Sequence, residues 1–380
     1  NKFDYARIGW LLLAFFITPI ATAQAPNITK IKSKVYGETR EILVSLPASY
    51  QQDKDKVYPV IYLTDANMQV PHAAPMIHYL AGGISEMIVV GIQTFDRHNE
   101  LSPYHQDGTV FSKKEGAEKL LAFIETEVKP LISQTYRTAP FEILSGHSLG
   151  GLFTMFTFAR HPEKFDAYFA LSPTLAWADG KLLDEIEQSL EGMANNRILV
   201  AYSEKETPFI NQYDAFEKLL ALLATKAPSS LDINARFISG EDHMTIAHLG
   251  LYHALRYTFR DWWLSSNTMV GAPEKFDAHY ERLSTRLGYE VIPEFNELWG
   301  LTAYLIREQH YDEAHYVINK WQVFYPKQSA PNYELARLFL AQKKSYQAAK
   351  SIRLAIEYAA PNSRQYRRSK DLQQEIKDKL

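Results

Sequence analysis

Phe141-Glu142-Ile143-Leu144-Ser145-Gly146-His147-Ser148-Leu149-Gly150-Gly151 is the stretch from which the rest of the chain can be read. It opens on a short apolar run and closes into a second one, Leu152 to Ala159, of helical character. A serine between two glycines on a strand-to-helix turn is the pattern of a nucleophile elbow. The turn is sharp enough to strain its backbone. Glycines at Gly146 and Gly150 keep side chains from colliding around it. Ser148 is thereby lifted to the tip, at the positive end of the following helix, where a developing oxyanion is favoured.

Outward from the elbow, strands and helices alternate. Upstream, Ile28 to Val35 and Glu41 to Leu46 read as a hairpin or two edge strands. Tyr58 to Leu63 and Glu86 to Ile92 are near-continuous apolar runs, as buried parallel strands are. A helical segment, Ala73 to Leu80, lies between them, and Gly116 to Tyr136 has apolar residues at amphipathic spacing. Downstream, Phe165 to Leu171, Asn196 to Tyr202 and Leu231 to Ile238 read as strands. Tyr213 to Lys226 and Ile246 to Trp263 read as helices. This alternation predicts an α/β fold with a mostly parallel sheet flanked by helices.

From about Ser265 the pattern changes, and no strand is expected beyond it. Tyr311-x-x-Ala314 with Pro326 and Tyr346-x-x-Ala349 with Pro361 share one spacing. That spacing resembles the second helix of a tetratricopeptide repeat, although Trp321 and Ile356 stand where a small residue is usual. The division expected is a signal peptide over 1–23, an α/β domain over 24–266 and an all-helical, repeat-like domain over 267–380. Two repeats do not easily stand alone, so the helical region should pack on the α/β domain.

With 380 residues and 22% charged residues, the chain is long enough for a large core. Its net charge is −3 and it has no basic run, which argues against a nucleic-acid partner. The absence of cysteine excludes disulfides, thiolate metal sites, a cysteine nucleophile and a lipidated-cysteine anchor. At the N-terminus, Lys2 and Arg7 precede an uncharged apolar run, Ile8 to Ala21, and then Ala21-Thr22-Ala23. This is the order of a secretory signal peptide cut after Ala23. The run of about 14 residues is short of the ~20 that span a bilayer. A periplasmic or secreted bacterial protein is expected, with no stable membrane span after cleavage.

A serine hydroxyl needs a general base, and the base needs a third group to hold its tautomer. In this fold they follow the nucleophile in chain order, acid and then histidine, at the ends of later strands. His243 follows the strand ending at Ile238, whereas His248 would sit a turn into the next helix. The acid should follow the strand Asn196 to Tyr202, where Glu204 and Glu206 both qualify and Asp214 is more distant. The oxyanion hole needs two backbone N–H groups. Leu149, after the nucleophile, supplies one; the turn after Leu63 points to Ala66 or Asn67 for the other. His147 is placed by its neighbour and shapes the site without reacting. Trp177, Tyr104 and Phe95 are candidates for the substrate pocket.

With these residues in place, the sequence resembles the esterase branch of α/β-hydrolases that includes trilactone-siderophore (enterobactin-type) esterases, S-formylglutathione hydrolase and the mycolyltransferases. It is most similar to the siderophore-esterase-like proteins. The likeness rests on Tyr58-Pro59-Val60-Ile61-Tyr62-Leu63-Thr64-Asp65, Arg97-x-x-Glu100-Leu101-Ser102-Pro103, Tyr136-Arg137-Thr138, Gly146 to Phe153, Phe169-Ala170-Leu171-Ser172-Pro173 and Gly240-Glu241-Asp242-His243. It covers about residues 27 to 265. The resemblance implies Ser148 as nucleophile, His243 as base and Glu206 as acid, the last at the fourth place of a Gly-x-x-Glu loop in which Ser203 replaces the glycine. Asp65-Ala66-Asn67 matches the family's Asp-Gly-x oxyanion loop and favours the Asn67 amide. Ala66 in place of glycine would be strained if that position needs a positive φ.

The function expected is serine carboxylester hydrolysis through a Ser-His-Glu triad and an acyl-enzyme, on siderophore-type or other small esters. No cofactor and no metal is implied. Acyl transfer to an alcohol acceptor is the second enzymatic reading. The third is a binding protein, with a protein partner or dimer contact made through the C-terminal helices.

Overall fold

The computed structural model describes residues 26–51, 53–54, 56–112, 114–193, 197–207 and 209–380. The signal-peptide expectation over 1–23 lies outside them. Among the described residues, no helix is long and apolar enough to cross a membrane.

Eight strands form one sheet: β1 (Asn27–Lys32), β2 (Thr39–Ser45), β3 (Tyr58–Thr64), β4 (Ile88–Ile92), β5 (Thr138–His147), β6 (Ala167–Leu171), β7 (Ile198–Glu204) and β8 (Asp232–Ile238). Their order is β1-β2-β4-β3-β5-β6-β7-β8. The pairs β1/β2 and β2/β4 are antiparallel, and every later pair is parallel. The expected α/β-hydrolase architecture, a mostly parallel sheet flanked by helices, is the one observed.

Side chains alternate across the sheet, as a period of two requires. Tyr58, Val60 and Tyr62 enter one core, while Ile61 and Leu63 enter the other. The first core is closed by α3 (Gly116–Phe123), which runs through a π turn at Ile124–Val128 into α4 (Lys129–Thr135), and by α5 (Leu149–Arg160), α6 (Lys181–Leu190) and α7 (Ile210–Lys226). The second is closed by α1 (Ala66–Leu80) and α8 (Ile246–Thr258). The short helix α2 (Arg97–Leu101) follows β4.

Three elements depart from the sequence reading in ways that matter for the site. Helix α1 starts at Ala66 rather than Ala73, and carries Pro71 and Pro75 inside it. Val70, Ala73, Ala74 and Ile77 are buried along one face, so tertiary packing outweighs the local proline cost. Strand β7 runs to Glu204 instead of stopping at Tyr202, with all seven residues buried. Helix α8 stops at Thr258, and Trp262 is buried in the turn that follows.

The rest of the described chain is helical: α9 (Ser266–Met269), α10 (Lys275–Leu287), α11 (Phe295–Arg307), α12 (Tyr311–Phe324), α13 (Ser329–Ala341), α14 (Ser345–Glu357) and α15 (Arg364–Lys377). Met269, Phe276, Leu283, Leu298 and Trp321 continue the second core of the sheet. Beyond them α13 to α15 enclose a small core around Ile352 and Leu372. Lys56, before β3, ties the two regions with bonds of 2.7 Å to Glu86 and 2.5 Å to Glu294.

Trp321 is fully buried where α12 meets this shared core. Trp321→Ala should destabilise the protein by roughly 3–5 kcal/mol. Urea unfolding followed by circular dichroism would measure it, and an unchanged midpoint would mean the helices do not share a cooperative core with the sheet.

Candidate active site

The parallel register brings the ends of β5, β6 and β7 together: His147 pairs with Leu171, and Leu171 with Tyr202. Hydrogen bonds extend the ladder one step past the strands, from Ser148 N–H to Leu171 O at 3.0 Å and from Ser172 N–H to Tyr202 O at 2.6 Å. Ser148 then takes φ 59° and ψ −117°, a conformation that side chains other than glycine's rarely adopt, and α5 begins at the next residue. A Cβ on Gly146 would lie 2.0 Å from Gly150 O, and one on Gly150 would lie 2.2 Å from Thr64 Oγ1. The two glycines therefore let the elbow close and let it touch the turn after β3.

Three side chains line up at the sheet's edge. Ser148 Oγ is 3.1 Å from His243 Nε2, and His243 Nδ1 is 3.2 Å from Glu204 Oε1. Glu204, not Glu206, is the carboxylate against the imidazole. The physical reason is the length of β7: Glu204 is its last residue, buried at 1% exposure. Glu206 is exposed in the following loop, where its Oε2 accepts from Gly240 N–H at 3.1 Å. It braces the loop that carries His243 without facing the ring. Asp214 is exposed on α7, and His248 on α8 pairs with His72 at 3.2 Å.

Burial opposes the charge on Glu204, yet hydrogen bonds from His243 and Ser172 hold its carboxyl below the usual range. Ser172 Oγ also lies 2.9 Å from His243 Nδ1. Its backbone, like that of Ser148, has a positive φ, of 42°. Nothing in the sequence reading gave Ser172 this place. The available signal was positional, since it follows Leu171 as Ser148 follows His147. On the other side, His147 Nε2–H donates to His243 O at 2.5 Å and so ties down the backbone of His243. Burial, followed by the nearby His243 ring, pushes the His147 pKa down to about 4. Asp242 accepts from Met244 and Thr245 N–H groups at 2.8 and 2.9 Å, closing the turn around His243.

The amides expected for an oxyanion hole sit at two helix starts. Leu149 opens α5, while Ala66 and Asn67 open α1, and Met68 and Gln69 make that helix's first bonds back to Asp65 O. The positive φ of this loop, 54°, falls on Asp65, one residue before the position expected. Ala66 is a helical residue and carries no such strain. Asp65 is locked by Thr94 Oγ1 at 2.5 Å and by Arg97, whose Nε and Nη2 donate at 2.8 and 3.1 Å.

In front of Ser148 lies a cleft of about 410 Å³, lined by Thr174, Trp177, Phe209, Asn211 and Gln212 among others. Trp177 is where the sequence suggested, and its indole N–H donates to Tyr104 O at 3.0 Å. Tyr104 and Phe95 are not in the lining. Tyr104 is fully buried with its hydroxyl on Glu185, and Phe95 lies over the Arg40 guanidinium. No cluster of side chains suited to a metal occurs among the described residues.

The family model described as "Putative esterase" matches residues 33–248. The chain belongs to this esterase family. It is 27% identical over 268 residues to the ferri-bacillibactin esterase BesA of Bacillus subtilis, covering 62% of this chain and 90% of that protein. It is 26% identical over 269 residues to a siderophore triacetylfusarinine C esterase of Aspergillus fumigatus, covering 60% and 90% respectively. Among solved structures, an IroE-like serine hydrolase from Shewanella oneidensis matches with a TM-score of 0.69 at 26% identity, over 79% of this chain and 99% of that one. The protein is a serine esterase, a carboxylic ester hydrolase.

Because His147 titrates near 4 in the folded protein and near 6.5 when unfolded, the unfolded state binds more protons between these values. Its contribution to stability is present above about pH 6.5 and is lost as the pH falls towards 4, by at most about 1.4 kcal/mol per pH unit. Urea midpoints at a series of pH values should show this loss, and His147→Gln should flatten that part of the curve.

Proposed function

We propose that Ser148, His243 and Glu204 form the catalytic triad of this esterase, and that siderophore-type esters are its substrate class. The observation that carries the triad is the pair of contacts at His243, 3.1 Å to the serine hydroxyl and 3.2 Å to a fully buried carboxylate. The substrate class is supported by the two curated relatives, each named as an esterase of a siderophore. Export, expected from the pattern of residues 1–23, is part of the same reading.

In this mechanism Ser148 Oγ attacks the ester carbonyl as His243 Nε2 takes its proton. Glu204 holds the imidazole with Nδ1–H towards the carboxylate and stabilises the imidazolium. The oxyanion is met by the N–H groups of Leu149 and Asn67, at the positive ends of α5 and α1, where a single donor is worth about 3–4 kcal/mol. His243 then returns the proton to the leaving alcohol. Water, activated by the same imidazole, resolves the acyl-enzyme to acid and free Ser148. Ser172, by bonding both His243 and Glu204, acts as a positioning residue for the pair.

Ser148→Ala should abolish fluorophosphonate labelling and p-nitrophenyl ester hydrolysis; retained labelling would disprove the nucleophile. Glu204→Gln should lower kcat by roughly 10³–10⁴, because a neutral amide stabilises the wrong tautomer, whereas Glu206→Gln should stay within about threefold of wild type. Steady-state kinetics of the two variants decide between the carboxylates. For substrate class, a cyclic trilactone siderophore should show a higher kcat/KM than p-nitrophenyl butyrate, and the reverse order would remove the siderophore reading.

A further inference from the structure

Asp65 stands at the N-cap of α1, the position from which an aspartate side chain ordinarily accepts from the first N–H groups of its helix. Here the side chain makes no such bond. Met68 and Gln69 N–H donate to Asp65 O at 2.9 and 3.0 Å, which leaves the amides before them, Ala66 and Asn67, outside the helix's own bonding. Left to itself, the Asp65 carboxylate would turn onto that helix end, where backbone N–H groups and the helix dipole both favour an anion.

Two side chains hold it elsewhere. Thr94 Oγ1 donates to Oδ1 at 2.5 Å, and Arg97 meets both oxygens, Nε donating to Oδ1 at 2.8 Å and Nη2 to Oδ2 at 3.1 Å. The Asp65 side chain is buried, with 4% exposed. A guanidinium that bonds both oxygens fixes the direction of a carboxylate as well as neutralising it. The held carboxylate is still close to the elbow: a Cβ on Gly150 would lie 3.4 Å from Asp65 Oδ2. An uncompensated negative charge at that place would oppose the oxyanion that forms between α5 and α1.

We propose that Arg97 is a positioning residue for the ester reaction: it neutralises Asp65 and holds it back, so that the first amides of α1 stay open to the substrate oxyanion instead of being capped by the chain's own carboxylate. Thr94 supports the same arrangement through its single bond. The inference rests on the reading of Asn67 N–H as an oxyanion donor. Arg97 does not line the cleft in front of Ser148, so it acts through Asp65 and not by binding the ester. An obstructed donor is felt only as charge develops on the carbonyl oxygen. The effect therefore falls on kcat and not on KM.

The test is steady-state hydrolysis of p-nitrophenyl butyrate by variants of the full chain, each verified as folded by circular dichroism. Arg97→Ala should lower kcat about tenfold or more and leave KM within about threefold. Arg97→Lys keeps a cation on the carboxylate and should stay within about fivefold of wild type. Removing the carboxylate should undo the damage. Arg97→Ala combined with Asp65→Gly should be about tenfold faster than Arg97→Ala alone, because glycine accepts the positive φ and has nothing to place on α1. Asp65→Asn in the same background is a second version, since asparagine tolerates that φ and carries no charge. Asn67→Pro deletes the N–H at a helix start, where proline fits, and tests the underlying assignment. A wild-type rate for Asn67→Pro would remove the oxyanion assignment and the proposal with it. A slow Asn67→Pro leaves the assignment standing, and the Arg97 variants then decide. The proposal is overturned if Arg97→Ala keeps the wild-type kcat, if it raises KM instead, or if neither double variant outruns it.

Discussion

The close contact between the turn after β5 and the turn after β3 governs the catalytic edge of this protein. Gly150 has room for no side chain because Thr64 stands against it, and Gly146 has none because Gly150 does. Three neighbouring strands, β3, β5 and β6, are each followed directly by a non-glycine residue with positive φ: Asp65, Ser148 and Ser172. Such conformations cost on the order of 1–3 kcal/mol each and persist only where surrounding bonds over-determine them. Here they do. Ser148 N–H and C=O are engaged by Leu171, Leu152 and Thr174. The Asp65 carboxylate takes three side-chain bonds from Thr94 and Arg97, and Ser172 bonds both Tyr202 O and the His243 ring. The strain thus sits in the turns that follow the strands, where Ser148 projects towards His243.

The histidine is treated differently. Its loop has no strained residue at His243 itself, so precision comes from bonds on several sides. Glu204 and Ser172 meet Nδ1, His147 meets the carbonyl, and Asp242 closes the turn. A buried carboxylate such as Glu204 would drift towards protonation if left alone. The same bonds that aim the imidazole keep that carboxylate charged, so orientation and electrostatics at His243 have one origin.

This division explains what could be read from sequence. Buried parallel strands are continuous apolar runs, which is why β3 to β6 and the elbow were legible. The end of β7 was not, because Ser203 and Glu204 are polar letters in a strand that stays buried to its last residue. The strand reading left Glu204 and Glu206 both open, and the resemblance to a Gly-x-x-Glu loop chose Glu206, two residues beyond the carboxylate that faces His243. Helix α1 was read only from Ala73, although it starts at Ala66, directly after the positive φ at Asp65. Tyr104 and Phe95 illustrate a different limit: aromatic residues carry no sign of whether they face a cleft, a core or an arginine. The motif Arg97-x-x-Glu100 gains a meaning only in three dimensions, where Arg97 fixes Asp65 and Glu100 pairs with buried Arg40 at 2.6 Å.

The helical C-terminal region shares an apolar core with the helix that follows His243. Helix α8 begins three residues after His243, and its first turn is bonded to Asp242 by Ile246 N–H at 3.0 Å. The buried face of α8, Leu251, Ala254 and Leu255, lies in the same core as Phe276, Leu283 and Leu298. Helix α8 packs on β6, β7 and α1, and close-packed interiors transmit displacement instead of absorbing it. The loop that it anchors inherits that stiffness. The apolar core that seats α8 continues into residues well beyond the stretch matched by the esterase family.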